Sequence, residues 1–161
     1  MMVFYKKLLS VLAALSLFVL FSVMLAASIS RYFLDSPILW SEEVAKYSMI
    51  YGVMFGMILC YLEGLHIKFS VLDSFLSKKN LARLNILTDI AVLASGVLIT
   101  WSGYLFVMRR GSITSPGTGL SMYFFQSAIV IGGAGLTIAA IMKLASYIQL
   151  RRYELSTLTS K

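Results

Sequence analysis

Residues 8–30 read LLSVLAALSLFVLFSVMLAASIS and contain no charged side chain. The hydrocarbon core of a bilayer is about 30 Å thick, and a helix that rises about 1.5 Å per residue crosses it with about 20 apolar residues. Only helices and closed barrels satisfy their own backbone hydrogen bonds inside lipid, and this run lacks the alternation of a barrel strand. It exceeds the about 7–15 apolar residues of a secretory signal, so we expect a retained transmembrane helix.

Three further stretches repeat this pattern. They lack charged side chains and lie at residues 47–62, 90–108 and 111–142, the last with a glycine-rich start. Hydrophobic residues make up 59% of the chain and charged residues only 13%, which is about half the charged share of a soluble domain. The sequence therefore predicts an all-α polytopic membrane protein. We expect a single four-helix domain over residues 1–161, with spans at about 8–30, 44–64, 88–108 and 121–143.

Basic residues are distributed unevenly between the two sides of such a protein. The side with both termini and the second loop carries ten Lys and Arg residues, whereas the first and third loops carry only Arg31, Lys46, Arg109 and Arg110. Because positive residues are retained in the cytoplasm, we predict that both termini lie there. The net charge of +7 is thereby assigned to topology, and we expect no nucleic-acid partner.

The second loop mixes apolar and basic side chains over residues 67–87. This composition is typical of a segment that lies in the headgroup region, with its basic side chains toward anionic lipid. An ordinary amphipathic loop explains the same composition equally well. Both interpretations of the segment between the second and third helices stay open.

The sequence offers no group suited to catalysis or metal binding. His66 is the only histidine, Cys60 is the only cysteine, and the acidic residues lack metal-ligand spacing. Asp89 and Lys143 fall at the ends of spans, so no charge lies near the middle of one, where a four-helix exporter would be expected to carry an acid. We therefore expect no enzymatic activity, no metal and no cofactor, and no transport of a charged substrate by this chain alone.

Small residues at four-residue spacing predict close contacts between helices. Gly52 and Gly56 form such a pair in the second span, and Gly132 and Gly135 each belong to a pair in the fourth. We predict that these four glycines pack helices together, either within this chain or against a partner.

The densest polar cluster, RYFLDSPILWSEEVAKY, lies at residues 31–47. Charges of both signs beside aromatic residues are typical of recognition surfaces. A helix hairpin with an aromatic anchor and self-compensating charges is an equally good interpretation. The residues alone leave both open.

This cluster, together with GLHIKFSVLD at residues 64–73, resembles the small membrane subunit of tripartite ATP-independent periplasmic (TRAP) transporters. Ser115-Pro116 and Gly119-Leu120 are a weaker match, because the family often has a proline where this chain has Ser121. The resemblance implies structural or partner-binding roles for Arg31, Tyr32, Trp40, Glu42, Glu43, Lys46 and His66.

The resemblance further implies a subunit of the bacterial inner membrane without chemistry of its own. Its expected partners are the lipid bilayer, a large membrane subunit that transports organic acids such as sialic acid or C4-dicarboxylates with a sodium gradient, and a periplasmic substrate-binding protein. The small subunit would brace the large one and help dock the binding protein. Two alternatives stay open, namely an independent small channel or exporter and a membrane assembly or sensor subunit.

Overall fold

The computed structural model describes residues 2–64 and 78–159, with side chains over residues 2–64 and 83–147. These residues form four helices: α1 (Met2–Phe33), α2 (Ser41–Glu63), α3 (Lys78–Arg110) and α4 (Met122–Thr159). Each contains a segment long and apolar enough to cross a membrane: Met2–Phe33, Ser41–Glu63, Arg83–Arg110 and Met122–Tyr147. No β-strand occurs within the described residues. The predicted all-α fold with four membrane-spanning helices is therefore confirmed.

Residues 65–77 lie outside the part of the chain that the structure describes. Residues 67–77 of the predicted interfacial segment fall in this range, and so does His66, whereas residues 78–87 of that segment belong to α3. The interfacial position of residues 67–77 and the role of His66 therefore stay predictions, as does the placement of the two termini in the cytoplasm.

A short loop, residues 34–40, joins α1 to α2 and turns the chain back on itself. The Ser30 hydroxyl donates to the Ser36 carbonyl oxygen, and the Ser36 N–H donates to the Ser30 carbonyl oxygen over 3.3 Å. Asp35 adopts a positive φ of 46°, which short acidic side chains tolerate better than most. At the other end of α2, Gly64 has a φ of 69°, and its N–H bonds the Tyr61 carbonyl oxygen to close the helix.

The extensive contacts between helices join α1 to α2, α2 to α4, and α4 to α3. The helices therefore form a row in the order α1, α2, α4, α3, which differs from their order in the chain. The buried core lies where α1, α2 and α4 meet. Its members are Leu9, Phe55, Ile58, Tyr61, Leu62, Leu136, Ala139 and Ala140. Tyr5 adds a polar contact there, because its hydroxyl donates to the Gly135 carbonyl oxygen over 2.9 Å.

Large apolar side chains cover the outside of the row. On α1, for example, Leu15, Phe18 and Phe21 are all more than half exposed. In water so large an apolar surface would drive association, whereas lipid tails are as apolar as these side chains. The exposed surface is thus the one expected of a protein that a bilayer surrounds.

Glycines allow the backbones of α3 and α4 to approach each other closely. An ideal Cβ atom on Gly133 would lie 2.7 Å from the backbone nitrogen of Thr100. One on Gly96 would lie 3.0 Å from the backbone nitrogen of Thr137. Packing through small residues is a common means of association between membrane helices, and here it leaves no room for a methyl group.

The four glycines that the sequence analysis selected lie on α2 and α4. Gly132 and Gly135 face α2, because an ideal Cβ atom on either would come within 2.8 Å of an α2 side chain. Gly52 faces α1, at an ordinary contact distance of 3.5 Å. Gly56 faces open space, since no described atom outside its own helix lies within 4 Å of its ideal Cβ position.

The contrast between Gly133 and Gly56 provides a matched test of this packing. Gly133→Ala should destabilise the protein, because the new methyl group would meet the Thr100 backbone rather than a flexible side chain. Overpacking of this kind typically costs about 1–3 kcal/mol. Gly56→Ala should not destabilise it, since alanine favours a helix and has room there. The measurement is denaturant unfolding of both purified variants in mild detergent, and equal losses of stability would contradict the described α3–α4 contact.

Candidate functional site

Two clusters of polar side chains connect the helices. One lies near the loop end of the helices and the other lies toward their opposite end. The loop end carries residues 34–40 between α1 and α2 and residues 111–121 between α3 and α4. The opposite end, which we call the terminal end, carries the start of α1, the end of α2 and the start of α3. The two clusters differ in how their charges are compensated.

Glu43 is the centre of the cluster at the loop end. It lies in the first turn of α2, and its carboxylate accepts hydrogen bonds from the Ser115 hydroxyl and from the backbone N–H groups of Gly117 and Thr118. Both backbone bonds are 3.2 Å long, and between them the three donors engage both carboxylate oxygens. Hydrogen bonds to an ionised acceptor are stronger than those between neutral groups. Glu43 therefore joins the start of α2 to the α3–α4 loop.

Tyr47 and Tyr51 continue this contact along α2. They follow Glu43 at intervals of four residues, so the three side chains share one face of the helix. The Tyr47 ring stacks on Phe125, with ring centroids 4.3 Å apart. The Tyr51 hydroxyl donates to the Phe124 carbonyl oxygen over 2.8 Å. The spacing of Glu43, Tyr47 and Tyr51 is the sequence signal that would have shown which face of α2 meets α4.

The other residues suggested by the family resemblance are more exposed. The Arg31 guanidinium lies 3.8 Å from the Glu42 carboxylate, with side chains 64% and 81% exposed, and ion pairs that solvent reaches contribute little to stability. Tyr32, Trp40 and Lys46 are also exposed. The structure thus brings Arg31 and Glu42 together at the surface and directs Glu43 into the protein, a distinction that two adjacent acids do not reveal in a sequence.

Tyr61, Asp89 and Lys143 form the cluster toward the terminal end. The Lys143 Nζ atom lies 3.0 Å from Asp89 Oδ1, and the Tyr61 hydroxyl donates to the same oxygen over 2.9 Å. The Lys143 ammonium also lies 4.4 Å from the centroid of the Tyr61 ring, within the range of a cation–π interaction. These contacts tie α2, α3 and α4 together.

The Asp89 carboxylate is 11% exposed and belongs to the membrane-spanning part of α3. A charge removed from water is costly unless it is paired and hydrogen-bonded. Asp89 meets both conditions. The sequence indicated that Asp89 and Lys143 fall at span ends. It did not predict their pairing, because a sequence does not indicate which residues on different helices face each other.

An apolar groove of about 580 Å³ runs along α3 and α4, lined by Val97, Thr100, Trp101, Tyr104, Val130, Ala134, Thr137 and Ile138. Its two threonine hydroxyls donate to carbonyl oxygens four residues earlier in their own helices. None of the residues that line the groove is charged, so the groove offers an anion no cationic side chain. Among the described residues, no three His, Cys, Asp or Glu side chains are grouped as metal ligands would be.

Comparisons with known proteins agree on one family. A family model described as "Tripartite ATP-independent periplasmic transporters, DctQ component" matches residues 20–150. A putative TRAP transporter small permease protein of Haemophilus influenzae is 28% identical over 128 residues, which cover 80% of this chain and 78% of that relative. The sialic acid TRAP transporter small permease protein SiaQ of Vibrio cholerae is 25% identical over 121 residues, covering 75% and 70%. A second Haemophilus influenzae protein of the first description is 29% identical over 133 residues, covering 83% and 78%.

The ion pair between Asp89 and Lys143 predicts a characteristic pattern of stability. Asp89→Asn or Lys143→Met alone should destabilise the protein, because each leaves its partner's charge unpaired. Removing one partner of a fully buried pair costs about 3–5 kcal/mol, and we expect less here because Lys143 is 37% exposed. The measurement is denaturant unfolding of each variant in mild detergent.

The double variant Asp89→Asn with Lys143→Met serves as the control for this pattern. It removes both charges, so it should recover much of the stability that each single variant loses. Single variants as stable as the wild type, or losses that simply add in the double variant, would show that the two charges do not stabilise each other.

Proposed function

This chain belongs to the DctQ-component family of TRAP transporters, and on that premise we propose that it is a transporter subunit without transport chemistry of its own. It would be the small integral-membrane subunit of a sodium-driven, binding-protein-dependent secondary transporter for organic acids. Its family and its four apolar helices make it a multi-pass protein of the inner membrane. The Vibrio cholerae relative, described as a sialic acid TRAP small permease, supports an organic acid as the substrate class.

The pairing of the buried Asp89 carboxylate with Lys143 supports a bracing role best. A subunit that carried an organic anion alone would need an available cationic or hydrogen-bonding group within its spans. Instead, Lys143 is neutralised by Asp89, which also accepts the Tyr61 hydroxyl. Both charges therefore take part in contacts that hold α2, α3 and α4 together. In this proposal substrate binding belongs to the large membrane subunit, and this chain supports that subunit laterally through its apolar helix faces.

The loop end supports a second role, which is to help dock the periplasmic binding protein. Glu43 joins the start of α2 to the α3–α4 loop, so the two loops can present one surface. At this surface the end of α1 exposes Tyr32 and the α1–α2 loop exposes Leu39 and Trp40, with exposed fractions of 79%, 80% and 44%. Aromatic residues beside charges are typical of binding surfaces. In this proposal Arg31, Glu42 and Lys46 contribute contacts at its rim, and His66 has a structural or contact role.

The predicted orientation is tested by labelling single cysteines. In a Cys60→Ala background, cysteines at Ser36 and Ser112 should react with a membrane-impermeant thiol reagent in intact spheroplasts, because the loop end should face the periplasm. Both positions are exposed. A cysteine at Ser77, in the second loop, should react only after permeabilisation. Labelling of the Ser77 position in intact spheroplasts would reverse the assigned orientation.

The subunit role is tested by purification and reconstitution. When the chain is co-expressed with the large membrane subunit of its own transporter, the two should co-purify in mild detergent at equal stoichiometry. Liposomes that contain this chain alone should take up no organic acid, whereas the complete complex with its binding protein should. Uptake by this chain alone would instead establish an independent transporter.

Glu43 offers a sharper test within the complete complex. Glu43→Gln should lower uptake severalfold at unchanged membrane expression, because a neutral amide replaces the carboxylate that the α3–α4 loop donors engage. Glu63→Gln is the matched control, since it makes the same change at the exposed far end of α2. Equal uptake by the two variants would remove the loop end from the proposed docking role.

A further inference from the structure

We propose that residues 115–119 form a preformed carboxylate-binding site, and that Glu43 fills this site as its resident ligand. We call these residues the carboxylate loop. The site is a property of the chain itself and does not depend on the transport function proposed above.

Three donors of the carboxylate loop converge on one point. The Ser115 hydroxyl and the Thr118 N–H donate to Glu43 Oε2, and the Gly117 N–H donates to Oε1. Consecutive backbone N–H groups that point into one concavity form an anion-binding site. Because Ser115 is only 2% exposed, its hydroxyl is poorly accessible to water and depends on an acceptor within the protein. This arrangement matches the two oxygens of a carboxylate.

The backbone shape of the loop is set by hydrogen bonds that do not involve Glu43. The Ser115 N–H donates to the Leu120 carbonyl oxygen over 2.8 Å, and the Gly119 N–H donates to the Ser115 carbonyl oxygen over 2.9 Å. Thr114 and Ser121 form an isolated antiparallel bridge that closes the base of the loop. Gly119 has a φ of 70°, a conformation that glycine adopts without steric cost. The donors are therefore positioned by the loop's own structure, and the carboxylate arrives from another helix.

Gly117 sets the size of the site. An ideal Cβ atom at this position would lie 2.9 Å from Glu43 Oε2 and 3.1 Å from the Leu39 carbonyl oxygen. The Leu39 oxygen belongs to the backbone and cannot simply move aside, so a side chain at this position would have to displace the Glu43 carboxylate from its donors. Truncating Glu43 to alanine should instead leave a space lined by three donors. That space should accept a small external carboxylate.

The test uses sodium formate as the probe and the full chain in detergent micelles, with ¹⁵N labelling. In Glu43→Ala, formate should shift the amide resonances of Gly117 and Thr118 saturably. Formamide, which has the same shape without the charge, should not shift them, and neither should sodium chloride at equal ionic strength. The wild type should show no saturable response, because Glu43 already occupies the site. The additional substitution Gly117→Ala should abolish the response to formate.

Several results would overturn the proposal. Amides of Ser115 and Gly119 that move to random-coil positions in Glu43→Ala would show that Glu43 shapes the loop, so the site is not preformed. If these amide resonances keep their wild-type positions in Glu43→Ala but formate shifts neither Gly117 nor Thr118, the loop does not bind a carboxylate. A response that survives Gly117→Ala would place the anion elsewhere. If Glu43→Ala does not fold, Glu43→Gln should still shift the Gly117 or Thr118 amide, and no shift of either would overturn the proposal.

Discussion

The core of a bilayer offers no hydrogen-bond partners, so each polar group that a helix carries into it must be satisfied within the protein. Two kinds of contact meet this constraint in the described helices, although the buried Gln126 Oε1 atom of α4 accepts no hydrogen bond. Several hydroxyls bond locally to a carbonyl oxygen four residues earlier, as Ser16, Ser95 and Thr100 do. Charged groups use contacts between helices, as Asp89 does with Lys143 and Tyr61. Apolar side chains gain little from leaving lipid for a helix contact, because lipid tails are equally apolar. The polar contacts therefore help to decide which helices become neighbours.

The four helices were predictable because crossing a bilayer imposes a length and a composition that a sequence displays directly, as residues 8–30 do. The order of the helices in the row was not predictable from the sequence. An apolar surface that faces lipid looks the same in a sequence as one that faces another helix, so the chain does not indicate that α4 lies between α2 and α3. The small-residue pairs indicated contact without identifying the partner, and they omitted Gly96, whose neighbour is the backbone of α4.

In the candidate site, too, the sequence indicated candidate residues but not which contacts they make. Glu42 and Glu43 are adjacent and chemically equivalent in the sequence, yet one lies exposed near Arg31 and the other accepts three hydrogen bonds from the α3–α4 loop. The family resemblance selected both, because a motif records which residues occur and not which way they point. Asp89 and Lys143 were visible as charges at span ends, but their pairing depends on the packing of α3 against α4.

The length of α1 has a consequence for how the protein sits in its membrane. Its 32 residues correspond to about 48 Å of helix, whereas the hydrocarbon core measures about 30 Å. Long helices commonly adapt to a thinner bilayer by tilting. Here the packing of α1 against α2 and the bond from Tyr5 to Gly135 of α4 set the angle of α1 relative to the other helices. We therefore expect α1 to adapt to bilayer thickness by tilting together with its neighbours and not by tilting alone.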